Sequence, residues 1–98
     1  MYGLTEHDIL EIKKIALDYK AIKKLILFGS RAMGNYKPAS DVDLAVVGEA
    51  IRYEDVLSLK GRLNDESNTP YFYDVVHFDT LTNEALQKHI EEYGAELI

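Results

Sequence analysis

Apolar residues recur along the first part of the chain with the spacing of a helix and then with that of a strand. Thr5 is predicted to cap a first helix, with Asp8, three residues later, as an acid near the helix start. Residues 24–28, KLILF, form a short apolar run that predicts a buried strand ending at Gly29-Ser30. The apolar face of the first helix contains four residues at spacings of three and four: Ile9, Ile12, Ala16 and Tyr19.

Two further apolar segments have the composition of strands. Residues 41–47, DVDLAVV, predict a second strand, and residues 71–78, YFYDVVHF, predict a third because they are rich in β-branched and aromatic side chains. Between the first two strands, residues 30–34 predict a single helical turn and residues 35–40, with a proline, predict a loop.

Two longer helices complete the predicted elements. The first covers residues 52–64, and the second begins at Thr82 or Asn83 and stops near Gly94. A short edge strand is predicted over the last four residues, AELI. The inward positions are Tyr53, Val56, Leu57 and Leu63 in the first of these helices and Leu86, Ile90 and Tyr93 in the second. The resulting order, αβ(α)βαβα, predicts an α/β or α+β sheet with helices on at least one face.

Composition limits the kind of protein that this chain can be. Its 98 residues suit one domain, 1–98, and no apolar run approaches the roughly 20 residues that cross a bilayer. The net charge of −6 argues against a polynucleotide as the main substrate, since nucleic-acid binders usually present a basic face. The lack of cysteine suits the reducing cytoplasm, which is the predicted location.

The turn at Gly29-Ser30 is a candidate phosphate-binding element. Glycine allows a phosphate to approach the backbone, and the following amides and the Ser30 hydroxyl can donate to its oxygens. A Gly-Ser pair after a strand is more often only a turn, so this signal depends on what accompanies it.

Three aspartates are the candidate catalytic and metal-binding residues. Asp41 and Asp43 alternate along a predicted strand and therefore project from the same face. Asp74 interrupts an otherwise apolar strand, where an unpaired carboxylate is unfavourable if buried. If the two strands are neighbours, three carboxylates meet and can hold two Mg²⁺ ions. A chance Asp-x-Asp pair, and an edge strand with Asp74 in water, remain open alternatives.

The conjunction of these features resembles the nucleotidyltransferase superfamily that includes DNA polymerase beta. A strand is followed by Gly-Ser, a ten-residue spacer, Asp-x-Asp-apolar and a later in-strand Asp. The minimal nucleotidyltransferases of that superfamily are usually written Gly-Ser-Arg-Ala-Arg-Gly followed by Ser-Asp-x-Asp-Leu. The corresponding residues here are Gly29–Gly34 and Ser40–Leu44, with Met33 in place of the second arginine. That replacement removes one candidate contact to phosphate or to a partner.

The resemblance implies a fold, a reaction and a partner. The fold would be a small mixed sheet of three to four strands with helices packed mainly on one face. The reaction would be Mg²⁺-dependent transfer of AMP from ATP to a protein hydroxyl. Asp41, Asp43 and Asp74 would bind the metal, and Gly29, Ser30 and Arg31 the nucleotide. The partner would be an all-helical HEPN-domain toxin, for which this chain would be the antitoxin.

Several alternatives remain beside this interpretation. The chain could neutralise such a partner by binding alone, or transfer a nucleotide to a small-molecule hydroxyl, and the oligomer could contain identical or different chains. Arg31 could be a surface charge instead of a phosphate ligand. Lys60 and Arg62 could reach a triphosphate, although a solvated helix face is the favoured interpretation. His77 is predicted to be structural, and His7 and His89 show no ligand spacing.

Overall fold

The structure, a computed structural model, describes residues 1–98 and contains four helices and four strands. The predicted order is confirmed. Most boundaries shift by one or two residues, and the first helix ends at Ala16 instead of reaching Tyr19. The helices are α1 (Glu6–Ala16), α2 (Ser30–Met33), α3 (Tyr53–Glu66) and α4 (Glu84–Tyr93), with one 3-10 turn at Phe78–Thr80. The strands are β1 (Lys24–Phe28), β2 (Val42–Val47), β3 (Tyr73–His77) and β4 (Ala95–Glu96).

Helix α1 begins with the predicted cap. The Thr5 hydroxyl accepts a hydrogen bond from the Asp8 amide at 3.0 Å, and the Asp8 carboxylate accepts one from the Thr5 amide at 2.9 Å. This reciprocal pair satisfies two backbone donors that the first helical turn leaves free. Tyr19 lies beyond the end of the helix, and its hydroxyl is 2.6 Å from that of Ser58 on α3.

The strands form one mixed sheet in the order β3-β2-β1-β4. Strand β1 is antiparallel to both β2 and β4, whereas β2 and β3 are parallel. The predicted α+β class and the mixed sheet of up to four strands are therefore confirmed. Because β2 and β3 are parallel, their first residues lie at the same end of the sheet.

Helices cover the two faces of the sheet unequally. Helices α1 and α3 pack on one face over a continuous core, to which the sheet contributes Leu25, Leu27, Val42, Leu44, Val46, Tyr73 and Val75. Helix α4 covers part of the other face through a smaller cluster of Phe28, Ala45 and Ile90. The prediction that helices lie mainly on one face is confirmed, and the second face keeps an uncovered end near the start of β2 and β3.

Three side chains predicted to face the core are exposed instead. Tyr53, Leu57 and Tyr93 are 72%, 51% and 49% exposed, whereas Leu59 and Leu63 are buried. The buried line of α3 passes through Leu59 and Leu63, which are four residues apart, while Leu57 lies away from it around the helix. None of the helices has the length and apolar character needed to cross a membrane.

Candidate active site

The three predicted aspartates meet at one end of the sheet. Asp43 and Asp74 are register partners on the parallel strands β2 and β3, so their side chains share a face. Asp41 lies just before β2, two residues from Asp43, and lines the same cleft. The three carboxylates line one open cleft of about 330 Å³, together with Lys60, Asn64, Phe72 and Tyr73. The alternative that Asp74 lies in water on an edge strand is also partly correct, because β3 is an edge strand and the Asp74 side chain is 53% exposed.

Asp43 is the most perturbed carboxylate of the cleft. Burial raises its pKa, and the negative charges of Asp74 and Asp41 raise it further, while His89 lowers it. Like charges this close disfavour simultaneous ionisation unless a cation lies among them. The cleft is thus an electrostatic site for a cation.

The fit of this cleft to Mg²⁺ depends on how many carboxylates each ion needs. No group of three or more His, Cys, Asp or Glu side chains lies close enough together to hold a metal ion by itself. The carboxylates share a cleft but do not form one ready-made coordination sphere. Mg²⁺ is commonly held by one or two carboxylates and completes its octahedron with water and substrate phosphates. The three carboxylates of the cleft are hard oxygen ligands, so they fit this mode of Mg²⁺ binding.

Gly29 brings the turn after β1 directly against Asp43. Its φ of +79° lies in the region that favours glycine, and a Cβ atom added there would lie 2.3 Å from Asp43 Oδ2. The Gly29 amide donates a 2.9 Å hydrogen bond to Nε2 of His89 on α4. The candidate phosphate donors are therefore the following amides and the partly buried Ser30.

His89 is a residue of the site that sequence reasoning missed. Its ring lies 6.1 Å from the Phe28 ring and 5.5 Å from the Tyr93 ring, and it anchors the Gly29 turn to α4. Sixty positions separate His89 from Gly29, and no ligand spacing connects them. Only the packing of α4 on the second sheet face brings the two together.

Arg31 is buried and its guanidinium is paired within the protein. It is 1% exposed, so the surface-charge alternative is wrong. Its guanidinium donates to the carbonyl oxygens of Tyr2, Pro38 and Ser40 at 2.9–3.3 Å. The aromatic rings of two tyrosines, Tyr36 and Tyr71, lie 5.3 and 4.6 Å from its central carbon. These contacts occupy the guanidinium, which corrects the prediction that Arg31 binds phosphate directly.

Two residues of α3 reach the cleft around the free edge of β3. Lys60 is exposed, in agreement with the predicted solvated helix face, and its Nζ also lies 3.2 Å from Asp74 Oδ1. The Asn64 amide pairs with both the N–H and the carbonyl of Tyr73, at 2.8 and 3.0 Å, and fixes the start of β3. Their spacing of four residues is a local signal of a shared helix face.

The other charged candidates lie away from the cleft. Arg62 pairs with Asp18 at 2.8 Å, as expected for a surface position. His77 Nε2 lies 2.8 Å from the Gly48 carbonyl oxygen, which agrees with a structural role.

Known proteins share this fold. A chain in a toxin–antitoxin crystal structure with AMP-PNP superimposes with a TM-score of 0.77 at 23% identity, covering 92% of this chain and 72% of that chain. A chain in a complex of tri-AMPylated Shewanella oneidensis HEPN toxin with MNT antitoxin gives 0.71 at 20% identity, covering 93% and 69%. At these identities the likeness establishes the fold alone.

Sequence comparison identifies the family. A candidate protein adenylyltransferase of Methanocaldococcus jannaschii is 45% identical over 42 residues, which are 43% of this chain and 41% of that relative. The match thus spans less than half of the relative. The family profile described as "Polymerase beta, Nucleotidyltransferase" matches residues 10–98, which include the three aspartates and the Gly29-Ser30 turn. This chain therefore belongs to the polymerase beta nucleotidyltransferase family.

Proposed function

We propose that this domain is a Mg²⁺-dependent nucleotidyltransferase that transfers AMP from ATP to a hydroxyl group of a protein partner. The observation that supports it most directly is that Asp43 and Asp74 are register partners and line one cleft with Asp41, beside the Gly29 turn. A protein that only binds a partner has no need to bring three mutually repelling carboxylates together.

Asp41, Asp43 and Asp74 are the proposed metal-binding and catalytic residues. Two Mg²⁺ ions, when bound, would lower the pKa of the acceptor hydroxyl and stabilise the leaving pyrophosphate. The acceptor oxygen forms a bond to the α-phosphorus as the bond from that phosphorus to the pyrophosphate oxygen breaks. Pyrophosphate leaves with the electron pair, and the acceptor proton is released to solvent.

Gly29 and Ser30 are the proposed nucleotide-binding residues. Gly29 has no Cβ that would collide with Asp43, so the turn can approach that carboxylate closely. The Ser30 hydroxyl and the amides at the start of α2 are donors suited to phosphate oxygens. Arg31 contributes indirectly, because it holds the carbonyl of Ser40, the residue before Asp41.

The proposed partner is an all-helical HEPN-type toxin, for which this chain acts as a cytoplasmic antitoxin. The solved structures with similar folds include toxin–antitoxin complexes, one with AMP-PNP and one with an AMPylated HEPN toxin. A helical partner would also supply the aligned acceptor hydroxyl that nucleotidyl transfer requires.

Transfer can be tested by copurification and labelling. The domain would be purified from its native cell, and the partner incubated with the domain, α-labelled ATP and Mg²⁺. We expect an adduct of one or more AMP units on the partner, lost with chelator and with Asp43→Asn. A partner that binds without acquiring label would instead establish a purely binding antitoxin, and label found only on small molecules would exclude the protein acceptor.

A further inference from the structure

The end of the sheet arranges candidate groups in a line across three strands. The Gly29 turn follows β1, Asp43 lies at the start of β2 with Asp41 just before that strand, and Asp74 lies on β3. Since neighbouring strands are about 4.8 Å apart, this line is about 10 Å long. The candidate phosphate donors of the Gly29-Ser30 turn lie at one end of this line, and the edge strand β3 lies at the other end.

In-line displacement gives the two ends of this line different roles. The attacking oxygen and the leaving pyrophosphate must lie on opposite sides of the α-phosphorus. With the leaving phosphates at the Gly29-Ser30 turn, the acceptor must approach from the β3 side. The nucleoside is attached to the α-phosphorus through another oxygen, which lies outside the in-line axis. It therefore extends away from that axis and does not occupy the acceptor end.

Phe72 is the apolar group on the acceptor side. Tyr73 on β3 and Val42 on β2 are register partners. Phe72 and Asp41 are the residues directly before them, so these two residues lie side by side. The Phe72 carbonyl accepts a 2.9 Å hydrogen bond from the Val42 amide, which holds its backbone against β2. The side chain is nevertheless 74% exposed, although it lines the cleft with the three aspartates.

Polar side chains line the same cleft as Phe72. Lys60 pairs with Asp74 across the edge of β3, and Asn64 holds both backbone groups of Tyr73. An exposed aromatic ring beside polar and charged groups has the character of an interface anchor, since aromatic residues are enriched among those that contribute most to the binding energy of protein interfaces.

We propose that Phe72, with Lys60 beside it, forms the acceptor subsite of the transferase. The occupant is a protein segment that presents a hydroxyl side chain toward Asp74 and an adjacent apolar side chain against the Phe72 ring. This inference rests on the proposed function and specifies the acceptor for the same cleft.

Two synthetic peptides of equal length test the subsite. Each has one tyrosine as its only hydroxyl side chain, flanked by leucine in one peptide and by asparagine in the other. The intact domain, Mg²⁺ and α-labelled ATP are used to measure kcat and KM for each peptide. We expect the leucine peptide to be preferred and Phe72→Ala to raise its KM by about tenfold, which is typical of losing an aromatic anchor. Phe72→Tyr should restore the KM, and calorimetry should show an unchanged Kd for Mg²⁺·AMP-PNP.

Tyr53→Ala is the matched control. Tyr53 is 72% exposed, close to the value for Phe72, but it lines a different cavity with His77 and Thr80. The proposal is overturned if Phe72→Ala has no larger effect on KM than this control, or if it weakens nucleotide binding by the same factor. Labelling of a copurified partner without labelling of either peptide would reject the subsite alone, whereas no labelling of any hydroxyl would reject the proposed function as well.

Discussion

Gly29 shows how one residue determines the shape of the candidate site. Its positive φ and the 2.3 Å distance from a built Cβ to Asp43 Oδ2 leave no room for a side chain. We expect Gly29→Ala to lower the free energy of unfolding by about 1–3 kcal/mol through backbone strain, and more if Asp43 must move. Urea unfolding would measure the change, and Mg²⁺·ATP binding should weaken in parallel.

Gly61 supplies the matched control for that substitution. It lies within α3, and a Cβ added there meets nothing within 4 Å. Gly61→Ala should therefore stabilise the protein by about 0.5–1 kcal/mol, because alanine loses less conformational freedom in a helix. If both alanine variants changed stability equally, close packing at Gly29 would not be the cause.

Asp43 is a second residue whose local environment has a measurable consequence. We expect Asp43→Asn to abolish transfer and to raise the stability of the metal-free protein at neutral pH. Folding raises the pKa of Asp43 above 3.8, so between the two pKa values the folded state binds more protons. The stability of the unmodified protein therefore falls as pH rises through that range, and asparagine cannot ionise.

Thermal unfolding across pH would check this sign. The stability difference between Asp43→Asn and the unmodified protein should be largest at neutral pH and shrink as pH falls through the raised pKa of Asp43. Asp65→Asn, at an exposed position of α3, is the control and should show no such trend. A variant that is less stable than the unmodified protein at neutral pH would contradict the inferred repulsion.

At the scale of elements, Arg31 joins segments that have little regular structure of their own. Its guanidinium connects the N-terminal carbonyl of Tyr2 with Pro38 and Ser40 in the segment that leads to Asp41. That segment is not part of a strand, so the hydrogen bonds of the buried arginine help to position it. The start of β2 therefore depends on α2.

Arg31→Lys should destabilise the protein although it keeps the positive charge. A lysine lacks the planar fork that reaches three carbonyls and lies between two aromatic rings, so buried acceptors would lose their partners. We expect a loss of at least about 2 kcal/mol in urea unfolding. Arg52→Lys, on a side chain that is 76% exposed, should change stability by less than about 0.5 kcal/mol. Equal stability of the two lysine variants would show that the fork is dispensable.

At the scale of the whole molecule, a domain with a net charge of −6 presents three carboxylates in one cleft. A bare triphosphate should be repelled from it, so nucleotide binding should require a divalent cation. Calorimetry is expected to show ATP binding with Mg²⁺ and none in chelator, with NaCl of matched ionic strength as the control. Equal affinity in both titrations would contradict the proposed metal site.

Local sequence was sufficient for those features that depend on neighbouring residues. The Thr5–Asp8 cap and the three principal strands follow from capping groups and from the local pattern of apolar residues. The inward positions of α3 and α4 were predicted less well. Tyr53, Leu57 and Tyr93 are apolar but exposed, because the buried line of each helix passes through other residues, Leu59 and Leu63 in α3 and Ile90 in α4.

Tertiary structure decided which distant residues meet. The sheet order places Asp74 beside Asp43, α4 brings His89 to Gly29, and α3 delivers Lys60 to Asp74. Side-chain alternation and capping depend on bonds between near neighbours, so the sequence by itself determined them. The free energy of the whole chain decides the strand order, the burial of Arg31 and the face that each helix covers. These features depend on burial and on hydrogen bonds between segments that are far apart in sequence.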